Sequence, residues 1–302
     1  MANAKTKTEK DTAAPGKDLA TQQTALPAVM LNEGMFAADA GAGMEGATQE
    51  SFAIPFLGVL QKGSPQVDEA SGAALEGAKA GMFFENVTGR MYDGKKGVLV
   101  VPCAYRRVFL RWAPKGMSGS GFKGEMTVDE VATLRANGTI KDLDGRLYFP
   151  LEDGTVNDKK CDRVADVRNH YVLLIDEASG SWTQALLSLG STQIKKSKAL
   201  MAALASVKIV NPGNGQMYTP PTFANLVRVT SVPESNDKGT WFGVRFEVAG
   251  RVQRTDVYGD AKAFNSTVRS GNVEARYDEM APGANDGGGR GTSGAHDPDG
   301  SF

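Results

Sequence analysis

The chain has 302 residues, of which 41% are hydrophobic and 23% are charged, so it can bury the core of one large domain or two small ones. Its net charge of −1 excludes a global field that would by itself indicate nucleic-acid or membrane binding. Two cysteines outside any C-x-x-C motif indicate reduced thiols rather than a disulfide framework. The N-terminus lacks an apolar signal region, and no apolar run approaches the ~20 residues that span a bilayer. We therefore expect a cytoplasmic protein with no membrane partner.

The first half of the chain is predicted to pass from disorder into strands. Residues 1–50 carry few large apolar side chains, so we expect a disordered N-terminal segment. An ordered domain is expected from residue 51 to 280, with a first long strand starting near Gly97. The segment "TVDEVATLRANG" (127–138) predicts a short helix, because Thr127 and Glu130 have the spacing of a capping box.

The second half is predicted to contain two strand pairs and two helices. The segment "NHYVLLIDEASGSWTQALLSL" predicts two strands joined by a turn, and 191–207 predicts a helix capped by Ser191 or Thr192. A hairpin is expected from "FANLVRVTSV" and "GTWFGVRFEVAGRV", followed by a last short helix in "GDAKAFNSTVRSG". Residues 281–302 are predicted to be a flexible, Gly-rich acidic tail.

These elements favour a mainly β (α+β) fold. A helix between the third and fourth strands of a small antiparallel barrel fits the OB-fold plan, with residues 113–169 as a long insertion and disordered termini. Other β-rich α+β folds explain the same elements.

The stretch "VPCAYRRVFLRWAPKG" (101–116) alternates like a strand but carries charge on a side where strands normally carry apolar residues. Counting by twos, one side holds Val98, Val100, Ala104, Val108, Leu110 and Trp112, with Arg106 as the exception. The other side holds Leu99, Val101, Cys103, Tyr105, Arg107, Phe109 and Arg111.

Basic charge is concentrated in the same region. Residues 86–124 contain eight basic residues and one acid, and 191–208 add four lysines and no acid, whereas 21–85 contain eight acids and two bases. A basic stripe with interleaved rings suits single-stranded nucleic acid, since bases stack on aromatic side chains while Lys and Arg bind phosphates. The candidate contact residues are Tyr105, Arg106, Arg107, Phe109, Arg111, Trp112, Lys115, Lys195, Lys196, Lys198, Trp241 and Arg245.

An alternative explains the same alternation without a ligand. Tyr105 and Phe109 then fill a second core layer under the insertion, and the arginines pair with its carboxylates. Pro102 also threatens the register of the strand, because it cannot donate to the ladder and often marks a bulge.

No catalytic constellation emerges. His170 is expected at a strand edge, His296 lies in the tail, and no pair of Cys or His has the spacing of a zinc site. The chain has no P-loop and no dinucleotide fingerprint. The segment "LEDGTVNDKKCD" loosely matches the acid–acid–lysine pattern of metal-dependent nucleases, but such short patterns arise by chance in charged loops, and a solvated insertion is the favoured explanation. We predict a non-enzymatic protein without a cofactor or a metal.

The chain ends in "HDPDGSF", a flexible tether that closes on acids and an aromatic residue. Phe302 can enter an apolar pocket of a partner while Asp297 and Asp299 meet a basic rim. The same tail can also cover the protein's own basic surface, or have no role.

In combination, these features resemble single-stranded-DNA-binding proteins of the OB-fold type, and bacteriophage replication versions in particular. The segments "IPFLGVLQKGSPQV", "GVLVVPCAYRRVFLRW" and "LLSLGSTQIKKSKAL" carry the resemblance, which spans about residues 50 to 270. It implies sequence-independent binding in phage replication or recombination inside a bacterial host. By the same resemblance, Tyr105 and Phe109 would stack bases, Arg107, Arg111 and Lys115 would bind phosphates, and Phe302 would recruit replication or recombination enzymes.

The sequence therefore predicts a non-catalytic single-stranded-DNA-binding protein and leaves its oligomeric state open, including a homo-oligomer. A phage structural or scaffolding protein is the alternative, and a metal-dependent nuclease using acids of the insertion is a third reading.

Overall fold

The computed structural model describes Phe36 and residues 39–47, 53–114, 121–237, 239–271, 273 and 275–277. The chain divides into two compact units, Met1–Gly46 and Ala47–Phe302. In the first unit, the described residues 39–46 form exposed turns. Most of the predicted disordered segment, and all of the predicted tail, lie outside the described residues.

The second unit is mainly β, with three short α-helices whose ends are both described. Its five long strands are β4 (Val98–Ala113), β8 (Arg163–Ile175), β9 (Trp182–Gly190), β12 (Asn225–Asn236) and β13 (Gly239–Arg251). The short strands are β1 (Leu57–Val59), β2 (Phe83–Glu85), β3 (Met91–Tyr92), β5 (Gly121–Met126), β6 (Lys141–Leu143), β7 (Arg146–Tyr148), β10 (Ile209–Val210) and β11 (Met217–Tyr218). The helices are α1 (Val128–Ala136), α2 (Ile194–Ser206) and α3 (Thr255–Arg269).

The long strands form one antiparallel, curled half-barrel sheet. Its pairs are β4 with β8, β8 with β9, β4 with β12, and β12 with β13, while β5 extends β4 and β6–β7 extend β8. The segment around β1 touches both edges of this sheet. Phe56 pairs with Leu186 of β9, and the Gln61 side chain donates to the carbonyl of Phe242 on β13 (2.9 Å) and accepts from its N–H (2.8 Å).

The sheet has an inner face, to whose core all five long strands contribute, and an outer face. On the inner face, α2 packs Leu200 and Leu204 against a cluster that includes Val98, Val172 and Val244. On the outer face, α3 packs its buried side chains, with Tyr277, against a cluster from β4, β8 and β9. A third cluster lies under the insertion, where Phe109 packs against Val131, Ile140 and Val164.

A β-bulge in β4 changes the predicted alternation. The register with β8 shifts between Pro102 and Ala104, so Cys103 is an extra residue with no partner in the ladder. Val98 and Val100 consequently share the inner face with Tyr105, Arg107, Phe109 and Arg111, instead of lying opposite them. The prediction of one unbroken alternation was wrong because a proline supplies no ladder donor, which is why Pro102 signals a bulge.

Helix boundaries follow the sequence signals in part. The predicted capping box of α1 is present, since Thr127 accepts from the N–H of Glu130 and the Glu130 carboxylate accepts from the N–H of Thr127. The predicted caps of α2 are wrong, because residues 191–193 form a 3-10 turn and no side chain caps the helix. The last helix begins at Thr255, earlier than predicted, and β8 already begins at Arg163 inside the expected insertion.

Candidate functional site

Tyr105 and Arg107 lie where the inner face of β4 emerges from the core. The Tyr105 side chain is 39% exposed, and one side of its ring packs on His170 of β8 with 5.2 Å between ring centroids. Arg107 is also exposed, and its guanidinium lies 5.1 Å from the ring centroid of Phe109. These two of the predicted DNA-contact residues are therefore accessible to a ligand.

Arg107 and Arg168 share one carboxylate. Arg107 Nε and Nη2 donate to Asp166 Oδ1 and Oδ2 at 3.2 and 2.8 Å, and Arg168 Nη2 donates to Oδ2 at 3.0 Å. The bond to Asp166 raises the pKa of the Arg107 guanidinium, so it stays charged. With two guanidiniums and one carboxylate, this group, which we call the arginine pair, is positive overall.

Arg168 is the unusual member of the arginine pair. It is only 6% exposed, and its Nε has no hydrogen-bond partner among the described residues. Its Nη1 lies 3.5 Å from the hydroxyl of Tyr105, which is the limit of a hydrogen bond. A buried cation with an unused donor is costly unless a further acceptor approaches it.

Phe109 and Arg111 have a different environment under the insertion. Phe109 is 5% exposed, so its ring is not available for stacking, contrary to the predicted base-stacking role. Arg111 Nε donates to Asp162 Oδ2 at 2.7 Å, and its guanidinium lies 3.8 Å from the ring centroid of Phe149. The alternative of a second core layer with paired arginines describes this end of β4.

The helix α2, which carries the predicted lysines, is linked to Tyr105 through His170. His170 Nε2 is 2.7 Å from the hydroxyl oxygen of Ser197 in α2, while the His170 ring contacts Tyr105 on its other side. Burial lowers the pKa of His170 to about 4, so the ring is neutral at pH 7. Lys195 and Lys198 of the same helix are exposed.

Most of the remaining candidates are paired, buried or packed against another ring, and so are less accessible to a DNA strand. Lys196 pairs with Glu234 at 2.8 Å, and the same carboxylate accepts from Trp241 Nε1 at 2.9 Å. Trp241 is buried, so it does not offer an exposed ring, whereas Arg245 is exposed on β13. Trp112 packs on Phe122 at the outer face, 5.5 Å between centroids.

Arg106 and four other candidates complete the placement of the predicted residues. Arg106 hydrogen-bonds Tyr171, which belongs to the core of the outer face. Burial raises the pKa of Tyr171, and Arg106 opposes this shift without cancelling it. Lys115 and the predicted tail residues lie outside the described residues; these are Asp297, Asp299 and Phe302.

Sequence reasoning missed Asp166, Arg168 and His170 as members of the site. The signal was present, because these three residues alternate along "ADVRNHYVLLI" and therefore point to the same side of one strand. Asp166 lies opposite Phe109, Arg168 opposite Arg107 and His170 opposite Tyr105 in the β4–β8 ladder. Pairing the two strands in register was the step that the sequence alone did not supply.

The described residues hold neither a candidate metal site nor a candidate membrane-spanning helix. They contain no group of three or more His, Cys, Asp or Glu side chains that could hold a metal ion. They also contain no helix with the length and apolar character that crossing a membrane requires.

Comparison with known proteins gives a family but no solved relative. Searches of curated proteins and of solved structures found no match to the chain. A family model described as "Pam3 phage gp34-like protein" matches residues 21–274 and so covers most of the sequence. The chain therefore belongs to the Pam3 phage gp34-like protein family.

Proposed function

We propose that this phage protein binds single-stranded DNA without sequence preference and without catalysis. The surface is the inner face of β4 and β8 beyond the core, together with the N-terminal half of α2. The observation that carries the proposal is the arginine pair, in which the exposed Arg107 and the nearly buried Arg168 share Asp166 beside the exposed ring of Tyr105. The exposed guanidinium can contact a phosphate, and a splayed base has a ring on which to stack.

Strand pairing supports an OB-like identity for the half-barrel. Numbering the long strands from one to five, the pairs are 1–2, 2–3, 1–4 and 4–5, with α2 between strands three and four. In the OB-fold, such a sheet binds oligonucleotides on the face of strands two and three and on the loops after strands one and four. Here the loop after strand one is the insertion, which covers Phe109 and leaves Tyr105 exposed.

The outer face of the sheet is unsuited to DNA in this arrangement. Val257, Ala261, Phe264 and Val268 of α3 cover it, and all four are buried. We therefore assign binding to the part of the inner face that α2 leaves open, where Arg107 is exposed, and to the exposed Lys195 and Lys198 of α2.

The number of stacking rings is smaller than the sequence suggested. With Phe109 and Trp241 buried, Tyr105 is the exposed ring of the predicted set, so phosphate contacts carry most of the affinity. Binding of this kind weakens steeply with salt, because each phosphate contact releases condensed counterions.

A role in phage replication or recombination belongs to the same proposal. Recruitment of replication or recombination enzymes would use Asp297, Asp299 and Phe302, and its simplest test is deletion of residues 281–302 followed by a pull-down of the host replication proteins.

The test is a titration of fluorescein-labelled oligo-dT of about 30 nucleotides, followed by anisotropy at low and moderate salt, with a duplex of equal length as control. We expect saturable binding to the single strand that weakens with salt and is far weaker for the duplex. Tyr105→Ala should weaken binding about five- to thirtyfold, which corresponds to the loss of one stacked base.

Tyr258→Ala is the matched control, because Tyr258 is exposed to a similar degree (37%) but lies on α3 at the outer face. It should bind like the unmodified protein. Absence of binding at low salt, combined with assembly into large particles without DNA, would reject the proposal in favour of a structural protein.

A further inference from the structure

A small hairpin formed by β10 and β11 stands apart from the half-barrel sheet. Ile209 pairs with Tyr218 and Val210 with Met217, and these two strands pair with no other strand of the described chain. The turn between them is closed by a hydrogen bond from the N–H of Asn211 to the carbonyl of Gln216 at 2.8 Å, and Gly215 adopts a positive φ of 70° within it. The hairpin is therefore an ordered two-stranded ribbon.

The ribbon exposes apolar side chains next to one another. Met217 is 66% exposed, more than any other large hydrophobic residue that the structure describes, and its partner Val210 is 59% exposed. Tyr218 beside it is 43% exposed. Met217 and Val210 are paired in the ladder and share one face of the ribbon, whereas Tyr218 points to the other face, so the ribbon exposes an apolar pair on one side and an aromatic ring on the other.

The charge next to the ribbon along the chain is basic, which favours a polyanion as its partner. Residues 199–227, which include the ribbon, contain Lys208 and no Asp or Glu. Lys208 directly precedes the hairpin, and its ammonium donates to the hydroxyl of Thr219 just after it. An apolar and aromatic surface in a segment without carboxylates has the chemistry of a single-strand binding site, where rings contact bases and ammonium groups contact phosphates.

The hairpin is connected to the surface of the proposed function through α2. It follows the C-terminus of α2, where the Thr219 hydroxyl donates to the carbonyl of Ala205 at 3.4 Å. The N-terminal half of α2 contacts the Tyr105 region through Ser197 and His170. A helix of this length spans about 20 Å, so the two regions are separated by several nucleotides of an extended strand.

We propose that the β10–β11 hairpin is a second contact for the same DNA strand, in which Tyr218 stacks on a base and Lys208 contacts a phosphate. This inference rests on the proposed function. It predicts that a strand long enough to reach from Tyr105 to the hairpin binds both, whereas a very short strand binds at one end of α2.

The experiment compares Tyr218→Ala and the double variant Met217→Ala/Tyr218→Ala with Tyr258→Ala, using labelled oligo-dT of about 30 and about 6 nucleotides. All changed side chains are exposed, so thermal melts should stay close to that of the unmodified protein. For the longer strand we expect the hairpin variants to bind about five- to thirtyfold more weakly than the unmodified protein. The control variant should bind as tightly as the unmodified protein. The loss should be smaller for the short strand.

Salt dependence separates stacking from charge. The hairpin variants should keep the slope of log affinity against log salt, because a ring releases no counterions, whereas Lys208→Gln should reduce the slope by about 0.7. If the hairpin variants bind the longer strand as tightly as the unmodified protein does, this inference fails and the proposed function stands. If the unmodified protein binds no single strand, both fail.

Self-association is the competing use of this surface. A change in the mass of the protein by light scattering on Tyr218→Ala, with unchanged DNA affinity, would assign the hairpin to contacts between copies of the chain and overturn the proposal.

Discussion

Two aromatic–arginine pairs on β4, Tyr105 with Arg107 and Phe109 with Arg111, have the same sequence pattern and opposite environments. Tyr105 is 39% exposed and Phe109 is 5% exposed, although both point to the inner face. The difference comes from the insertion, because Val131 of α1 and Ile140 cover Phe109. Alternation along a strand thus determines the direction of a side chain, and residues far along the chain determine whether that side is covered.

The largest effect that tests this comparison is on stability. Phe109→Ala should lower the free energy of unfolding by about 3–5 kcal/mol, because it removes a buried ring from the core under the insertion. Tyr105→Ala should cost less than about 1.5 kcal/mol, since part of that side chain is already in water. Urea denaturation followed by circular dichroism measures both.

DNA binding should show the reverse order. Phe109→Ala, measured below its unfolding transition, should bind nearly as the unmodified protein does, while Tyr105→Ala binds weakly. Equal stability losses for the two variants would contradict the different burial of the two rings.

The second test uses His170, on which Tyr105 packs. Burial lowers its pKa in the folded protein to about 4 from 6.5, so between these values the unfolded chain binds a proton that the folded chain does not. The unfolding free energy is therefore undiminished by this group above pH 6.5, and falls by about 3 kcal/mol as the pH drops from 6.5 to 4. Denaturation at several pH values between 4 and 7 measures the loss.

His170→Gln supplies the reference, because an amide can still hydrogen-bond Ser197 but does not titrate in this range. Carboxylates titrate equally in both proteins and cancel in the difference. Below pH 6.5, the slope of unfolding free energy against pH should be steeper for the unmodified protein. The difference should be at most the slope of one bound proton, about 1.4 kcal/mol per pH unit. Parallel slopes would show that His170 is not buried as a neutral ring.

Local patterns in the sequence predicted most of the secondary structure. Thr127 and Glu130 gave the start of α1, and alternating apolar residues gave β4, β8, β9 and the β12–β13 hairpin. These signals act between residues a few positions apart. The start of α2 was missed because its first turn is a 3-10 turn without a side-chain cap.

The site was predicted less completely because it depends on pairing between strands. Arg107 and Tyr105 were identified from β4 alone, but Asp166, Arg168 and His170 join them only through the register with β8. The bulge at Cys103 fixes that register, and no pattern in the sequence states how far it shifts the strand. Burial of Phe109 depends on the insertion, whose packing is equally non-local.

The smallest expected effects concern the two carboxylates that hold the arginines. Asp166→Asn removes the negative charge next to Arg107 and Arg168, so it should strengthen single-strand binding about two- to fivefold. It should also lower the unfolding free energy by about 1–3 kcal/mol, because Arg168 is nearly buried and loses its charged partner.

Asp162→Asn is the matched change at the covered end of β4. Its partner Arg111 is partly exposed, so the loss of stability should be about 1 kcal/mol or less, and DNA affinity should change by less than about twofold. Both variants remove one negative charge, so a general change in net charge affects them equally. A rise in affinity for Asp166→Asn alone would therefore locate the phosphate contacts at the arginine pair, whereas equal rises would indicate only a weaker repulsion between protein and DNA.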